Sequence, residues 1–225
     1  MKRLGFALVL VLLFAGAALA DTITFNTPAG ATTSGGPVSA TATLVTGSGT
    51  VTITLTNLQG NPTNPAQLVN GLTFVLSNGA TTGTILSSSG QLLTVNGDHS
   101  TTLGSTGSLT GWQLNNNVGG GLQLTALGGG QPDELLIGPG PYSNANGGIA
   151  GNGPHNPFTN QTGTFTLGVS GVTAETSVTS ATFWFGTTPG TDGVPGVTPV
   201  PEPGSLALLG SGLLGLGGYL RRRLF

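Results

Sequence analysis

The chain has 225 residues, of which only 5% are charged and 37% apolar. All of its basic residues lie at the ends, Lys2 and Arg3 at the start and Arg221, Arg222 and Arg223 at the finish. The body therefore cannot neutralise a phosphate backbone, which excludes nucleic-acid binding. Cysteine is absent, so there is no disulfide framework, thiolate metal site or cysteine nucleophile. Burial and backbone pairing alone must hold the body, and Ser, Thr, Asn and Gln supply most of its solubility. With no Lys or Arg between Leu4 and Leu220, the body should resist trypsin even when unfolded. A digest in urea that released internal body peptides would contradict this.

In chain order the first element is "MKRLGFALVLVLLFAGAALA". A basic start, an apolar stretch from Leu4 to about Phe14 and small residues at Ala18 and Ala20 before Asp21 predict a secretory signal peptide over 1–20, cut by signal peptidase after Ala20. Nothing in it is amphipathic, which argues against a buried N-terminal helix.

From 21 to 186 the dominant pattern is period-two alternation rich in Thr and β-branched residues, bounded by Gly, Asn and Pro. "VSATATLVT" (38–46) and "TVTITLTNL" (50–58), joined by "GSG", predict a hairpin. Further strands are predicted at 22–26, 71–77, 83–88, 91–95, 111–115, 122–127, 134–138, 163–170 and 178–186. No body segment has sustained helical periodicity. Many short strands between turn-rich stretches predict an all-β fold, an antiparallel β-sandwich, closed or jelly-roll-like. The Gly/Asn/Pro-rich stretch 138–161 is predicted as a long insertion, of the length that is usually functional or mobile. Residues 187–200, with Pro189, Pro195 and Pro199, are predicted as an extended linker.

The final element, 201–225, begins with a proline-bracketed glutamate, Pro201-Glu202-Pro203, preceded by Val200. An apolar run from about Ser205 to Leu220 follows. As a helix rising ~1.5 Å per residue it would reach about 24 Å, short of a ~30 Å hydrocarbon core. Five glycines weaken it further, so it reads as a marginal transmembrane helix. Arg221, Arg222 and Arg223 would hold its end in the cytoplasm. The motif, the short glycine-studded span and the terminal arginines, in that order, resemble the PEP-CTERM sorting signal of Gram-negative bacteria. That resemblance implies processing by an exosortase, an integral-membrane enzyme, near the Pro-Glu-Pro motif. It further implies transient membrane association and delivery to the cell surface or the exopolysaccharide matrix. It transfers a route and leaves the activity of the body open.

Catalytic motifs are absent from the sequence: no G-x-S-x-G elbow, Walker loop, dinucleotide fingerprint or EF-hand pattern occurs. His99 and His155 lie in turn-like "NGDHS" and "GPHNP" without ligand spacing, so with Asp98 they read as turn residues. Asp133 and Glu134, on a turn after three glycines, form a weak Ca²⁺ candidate, too few carboxylates for an all-protein site. The threonines on one face of 50–56 could order water as some ice-binding surfaces do. One ladder does not make a plane, and a solvent-facing strand favours Thr for its β propensity anyway. Trp184, Trp112 and Tyr142 are the candidates for stacking on a sugar ring. No cofactor is expected. The sequence thus predicts an exported, non-enzymatic surface or matrix protein, structural or adhesive in exopolysaccharide or biofilm. The alternative is a carbohydrate-binding module that uses exposed aromatics, with or without calcium.

Overall fold

The computed structural model describes residues 21–128 and 132–199. The expected signal peptide, the sorting motif, the apolar helix and the arginine cluster lie outside the described residues. Among the described residues no helix is long and apolar enough to cross a membrane. The chain forms β1 (Thr22–Asn26), β2 (Thr32–Thr33), β3 (Gly36–Pro37), β4 (Ala40–Gly47) and β5 (Thr50–Asn57). A single 3-10 turn at Pro65–Gln67 precedes β6 (Val69–Leu76), β7 (Thr84–Val95), β8 (Thr101–Gly107), β9 (Gln113–Val118) and β10 (Gly121–Thr125). β11 (Leu136–Ile137), β12 (Phe158–Gly168), β13 (Val178–Phe185) and β14 (Asp192–Pro195) complete it.

The fold is all-β, as the alternation requires. β2 and β3 form a separate two-stranded ribbon, and the other strands join one branched sheet. One arm runs β1-β4-β5-β12-β7-β8 and the other β14-β13-β6-β10-β9. β11 bridges them, parallel to β12 and antiparallel to β6 at Leu136 and Val69. At the opposite corner Asn26 and Val197 exchange two backbone hydrogen bonds of 2.8 Å, which ties β1 to the segment that follows β14.

Each arm buries one face. Ala42, Leu44, Ile53, Leu55, Phe165 and Leu167 point inward from the first; Leu72, Phe74, Leu122, Leu124, Phe183 and Phe185 do so from the second. All of these belong to one continuous core. The β4–β5 hairpin closes through a two-residue turn, Ser48-Gly49, with Gly49 at φ 70, a left-handed conformation that glycine adopts without steric cost.

The structure departs from these expectations in five places. The sheet is mixed, since β11 and β12 are parallel. A parallel pair needs a crossover of a dozen or more residues, and the 138–157 insertion is that crossover. It is packed: Tyr142, Ala145 and Ile149 are buried within it. The two segments at 83–88 and 91–95 are one strand, β7, because Gly90 continues the ladder with Gly163 and Gly107. The proline-rich linker begins too early as predicted. Asp192–Pro195 is β14, with Val194 buried opposite Phe183, and Pro195 is tolerated because an edge strand has one side free of ladder bonds. Finally, β8, "TTLGSTG", has every residue exposed and so no apolar period to reveal it.

Candidate functional site

The outer face of the first arm is a regular surface among the described residues. On β5 alternation sends Thr50, Thr52, Thr54 and Thr56 outward, opposite buried Val51, Ile53 and Leu55. The register then aligns threonines across strands. Thr24 on β1 faces Thr43 on β4, which faces Thr54, which faces Thr164 on β12. The next row places Thr41, Thr56 and Thr162 side by side. β7 extends the first row with Ser89, opposite Thr164. The single ladder legible in 50–56 is therefore one column of a two-dimensional hydroxyl array. Two cross-strand pairs, Thr24 with Thr43 and Thr56 with Thr162, share hydroxyl hydrogen bonds of 3.0 Å. These add to the χ1 stiffness of a β-branched side chain. No charged side chain lies in the rows.

The predicted aromatic residues are not gathered into one site. Trp112 is 5% exposed, its ring 4.8 Å from that of Phe165, and its Nε1 donates to the Glu134 carbonyl at 3.0 Å. Tyr142 is 3% exposed and its hydroxyl donates to the Gly138 carbonyl at 2.8 Å. Trp184 is half-buried on the outer face of the second arm, where Nε1 donates to Thr73 Oγ1 at 2.8 Å. Its ring lies over Gly193, where a Cβ would come within 2.7 Å of it. In this structure neither Trp112 nor Tyr142 presents an open ring face; Trp184 presents part of one.

Asp133 is exposed and Glu134 buried. Glu134 Oε2 accepts from the Gly111 amide at 2.7 Å, and its carbonyl accepts from Thr159 Oγ1 at 2.8 Å as well as from Trp112. The carboxylate thus pins the turn before β9 to the start of β11. No group of three or more His, Cys, Asp or Glu side chains converges among the described residues.

The two histidines each brace the crossover. His99 Nδ1 lies 3.0 Å from the Tyr142 carbonyl, and His155 Nδ1 lies 2.8 Å from the Gly148 carbonyl. Asp98 accepts from the Ser100 hydroxyl at 2.6 Å and the Ser100 amide at 3.0 Å, which hold its carboxyl below the usual range. Between the β7–β8 hairpin and the crossover is an open pocket of about 340 Å³, lined by Leu103, His99, Tyr142, Asn160 and Gln161 among others. Its volume is at the lower end for small-ligand pockets, ~300–1,000 Å³.

Burial pushes the Tyr142 hydroxyl up to about 12. Its unfolded value is ~10, so the unfolded chain loses this proton first. Stability carried by neutral Tyr142 is complete below pH ~10 and is lost as pH rises toward about 12. The melting temperature should fall across that window, and Tyr142→Phe should flatten the fall. Tyr142 is the only tyrosine outside the C-terminal segment, so phenolate absorbance of protein lacking that segment reads it alone.

Asp21, the expected first residue of the mature chain, is tied directly into the fold: its amide donates to the Ala174 carbonyl at 3.1 Å and its carbonyl accepts from the Thr46 amide at 3.0 Å. Ala18, Ala20, Val200, Pro201, Glu202, Pro203 and Arg221–Arg223 lie outside the described residues. Comparison with known proteins identifies residues 199–223 as a PEP-CTERM protein-sorting motif. That motif implies processing by an exosortase-type enzyme, export, and membrane-associated sorting toward the cell surface. No curated protein and no solved structure matches the chain.

Proposed function

We propose that this chain, exported and sorted through its PEP-CTERM motif, is a non-enzymatic structural or adhesive component of the cell surface or exopolysaccharide matrix, built as a closed β-sandwich. The sorting motif carries the proposal, because it implies export and sorting toward the cell surface whatever the body does. The body suits this setting: it is nearly uncharged, free of cysteine and tied into one core from Phe25 to Val194. Its two histidines are engaged by crossover carbonyls, which favours a bracing role over catalysis.

The test is mass spectrometry of protein recovered from the cell surface. Mature material should begin at Asp21 and lack Arg221–Arg223; surface-localised protein that retains those arginines would overturn the processing scheme. Deleting the gene should reduce matrix or floc formation, and unchanged matrix would remove the structural role.

The carbohydrate-binding alternative draws on the pocket beside Leu103 and Asn160 and on the part-open ring of Trp184. Glycan-array binding that is lost in Trp184→Ala, or in Asn160→Ala, would favour it.

A further inference from the structure

We infer that the outer face of β1, β4, β5 and β12 is an ice-binding surface, with threonine hydroxyls and methyls in two-dimensional register against the crystal lattice. The inference rests on the register of that face and is independent of the export reading. A hydrogen-bonded tetrahedral water network with O–H···O distances of ~2.75 Å has second-neighbour oxygens about 4.5 Å apart. Neighbouring strands place aligned side chains ~4.7–4.9 Å apart, so the row Thr24, Thr43, Thr54 and Thr164 comes close to that repeat. Along β5, alternate threonines recur every ~6.8 Å, and four of them, Thr50 to Thr56, stand on one face. From β1 to β7 the array extends roughly 19 Å across the strands, and about 20 Å along β5.

Three features fit a crystalline water surface better than another occupant. The lattice is neutral and the rows carry no charge, so no strongly hydrated group interrupts them. The hydroxyls of Thr52, Thr54, Thr164 and Thr166 make no hydrogen bond to any described protein group, whereas the Thr24–Thr43 and Thr56–Thr162 pairs fix their neighbours. The array is therefore positioned in advance yet free to bond water. Protein-binding hot spots are enriched in Trp, Tyr and Arg, and sugar rings are gripped by exposed aromatics. None of these stands in the rows.

Strands in a sheet twist by roughly 20–25° relative to each other, so registry with a flat crystal plane holds over a few rows at a time. That limits the area engaged at once. The expected signature is inhibition of ice recrystallisation and incorporation into growing ice, with only slight thermal hysteresis.

The processed protein recovered from cells should slow the coarsening of ice grains and enrich in a slowly grown ice hemisphere beyond a serum albumin control. Thr54→Tyr, a steric interruption at the centre, and Thr52→Lys, a charge placed in the array, should each abolish both effects while near-native circular dichroism and melting persist. Ser180→Tyr, on the exposed outer side of β13, should leave both effects intact. Wild-type protein that neither slows coarsening nor enters ice overturns the inference, as do folded Thr54→Tyr and Thr52→Lys proteins with full activity. Should the same two substitutions abolish binding to host exopolysaccharide while ice is untouched, the face is a polysaccharide surface and the inference fails. Protein with full ice activity that still retains Arg221–Arg223 at the surface would sink only the processing scheme.

Discussion

Asn57→Ala should lower the melting temperature by roughly 6–12 °C, the equivalent of about 3 kcal/mol in a domain of this size. Asn57 is fully buried at the end of β5. Its Nδ2 donates to the Gln67 carbonyl at 3.0 Å and the Leu136 carbonyl at 2.8 Å, and its Oδ1 accepts from the Gln59 amide at 3.0 Å. One side chain therefore ties β5 to the 3-10 turn and to β11, the strand that joins the two arms. Alanine would remove the side-chain partner of two buried carbonyls, those of Gln67 and Leu136, and of the half-buried Gln59 amide. Asn57→Asp should be worse at neutral pH, because a carboxylate only accepts hydrogen bonds and would face two carbonyl oxygens. Its folded form favours the protonated acid, so its pKa is raised on folding. The variant should thus be most stable below the unfolded value of ~3.9 and lose stability as pH rises through the folded one. Thermal melts of both variants across pH test this, and an Asn57→Asp protein that melted with wild type at neutral pH would contradict it. The corner has no slack: a Cβ on Gly138 would collide with the Gln59 carbonyl, so Gly138→Ala should act in the same direction.

What was legible in the sequence is what local chemistry determines. β1 matches its predicted bounds, and β4 and β5 match to within two residues, because alternation and a short glycine turn lie within one stretch of chain. β11 escaped as a parallel strand because two residues, Leu136–Ile137, carry no direction. The direction comes from the crossover that precedes β12. β14 was hidden by prolines that normally signal a linker, although Val194 is its one inward side chain. The hydroxyl face shows the same division. Thr22 and Thr24, Thr41 and Thr43, and Thr162 to Thr166 each alternate visibly. Their juxtaposition, however, depends on β12 pairing with β5 across more than a hundred residues, which no local pattern reports. Trp112 and Tyr142 failed as exposed candidates for a related reason. Aromatic side chains bring large buried area to cores as well as to ligands, and only their neighbours decide which.

Those neighbours make Trp112 the decisive aromatic. Trp112→Ala removes a ring that packs at 4.8 Å against Phe165 and a donor to the Glu134 carbonyl. The cost should be about 4 kcal/mol, a fall of roughly 8–16 °C in melting temperature. Thr159 Oγ1 still bonds that carbonyl, so the loss is chiefly the cavity; Trp112→Phe, which refills most of it, should recover more than half of the difference. Trp184→Ala should cost far less, because its ring is half-buried and its lost partners are a hydroxyl and the surface of Gly193. These are the only two tryptophans, so fluorescence of each single-tryptophan variant assigns them separately. Trp112 should emit at shorter wavelength and resist acrylamide quenching; Trp184 should be quenched. If a glycan shifted the emission of Trp112 without unfolding the protein, the buried assignment would be wrong and the carbohydrate-binding alternative would gain. A shift confined to Trp184 would place any such ligand on the second arm, opposite the hydroxyl face. In that case loss of glycan binding in Trp184→Ala and loss of ice activity in Thr54→Tyr should occur independently, since the two side chains stand on outer faces separated by the core.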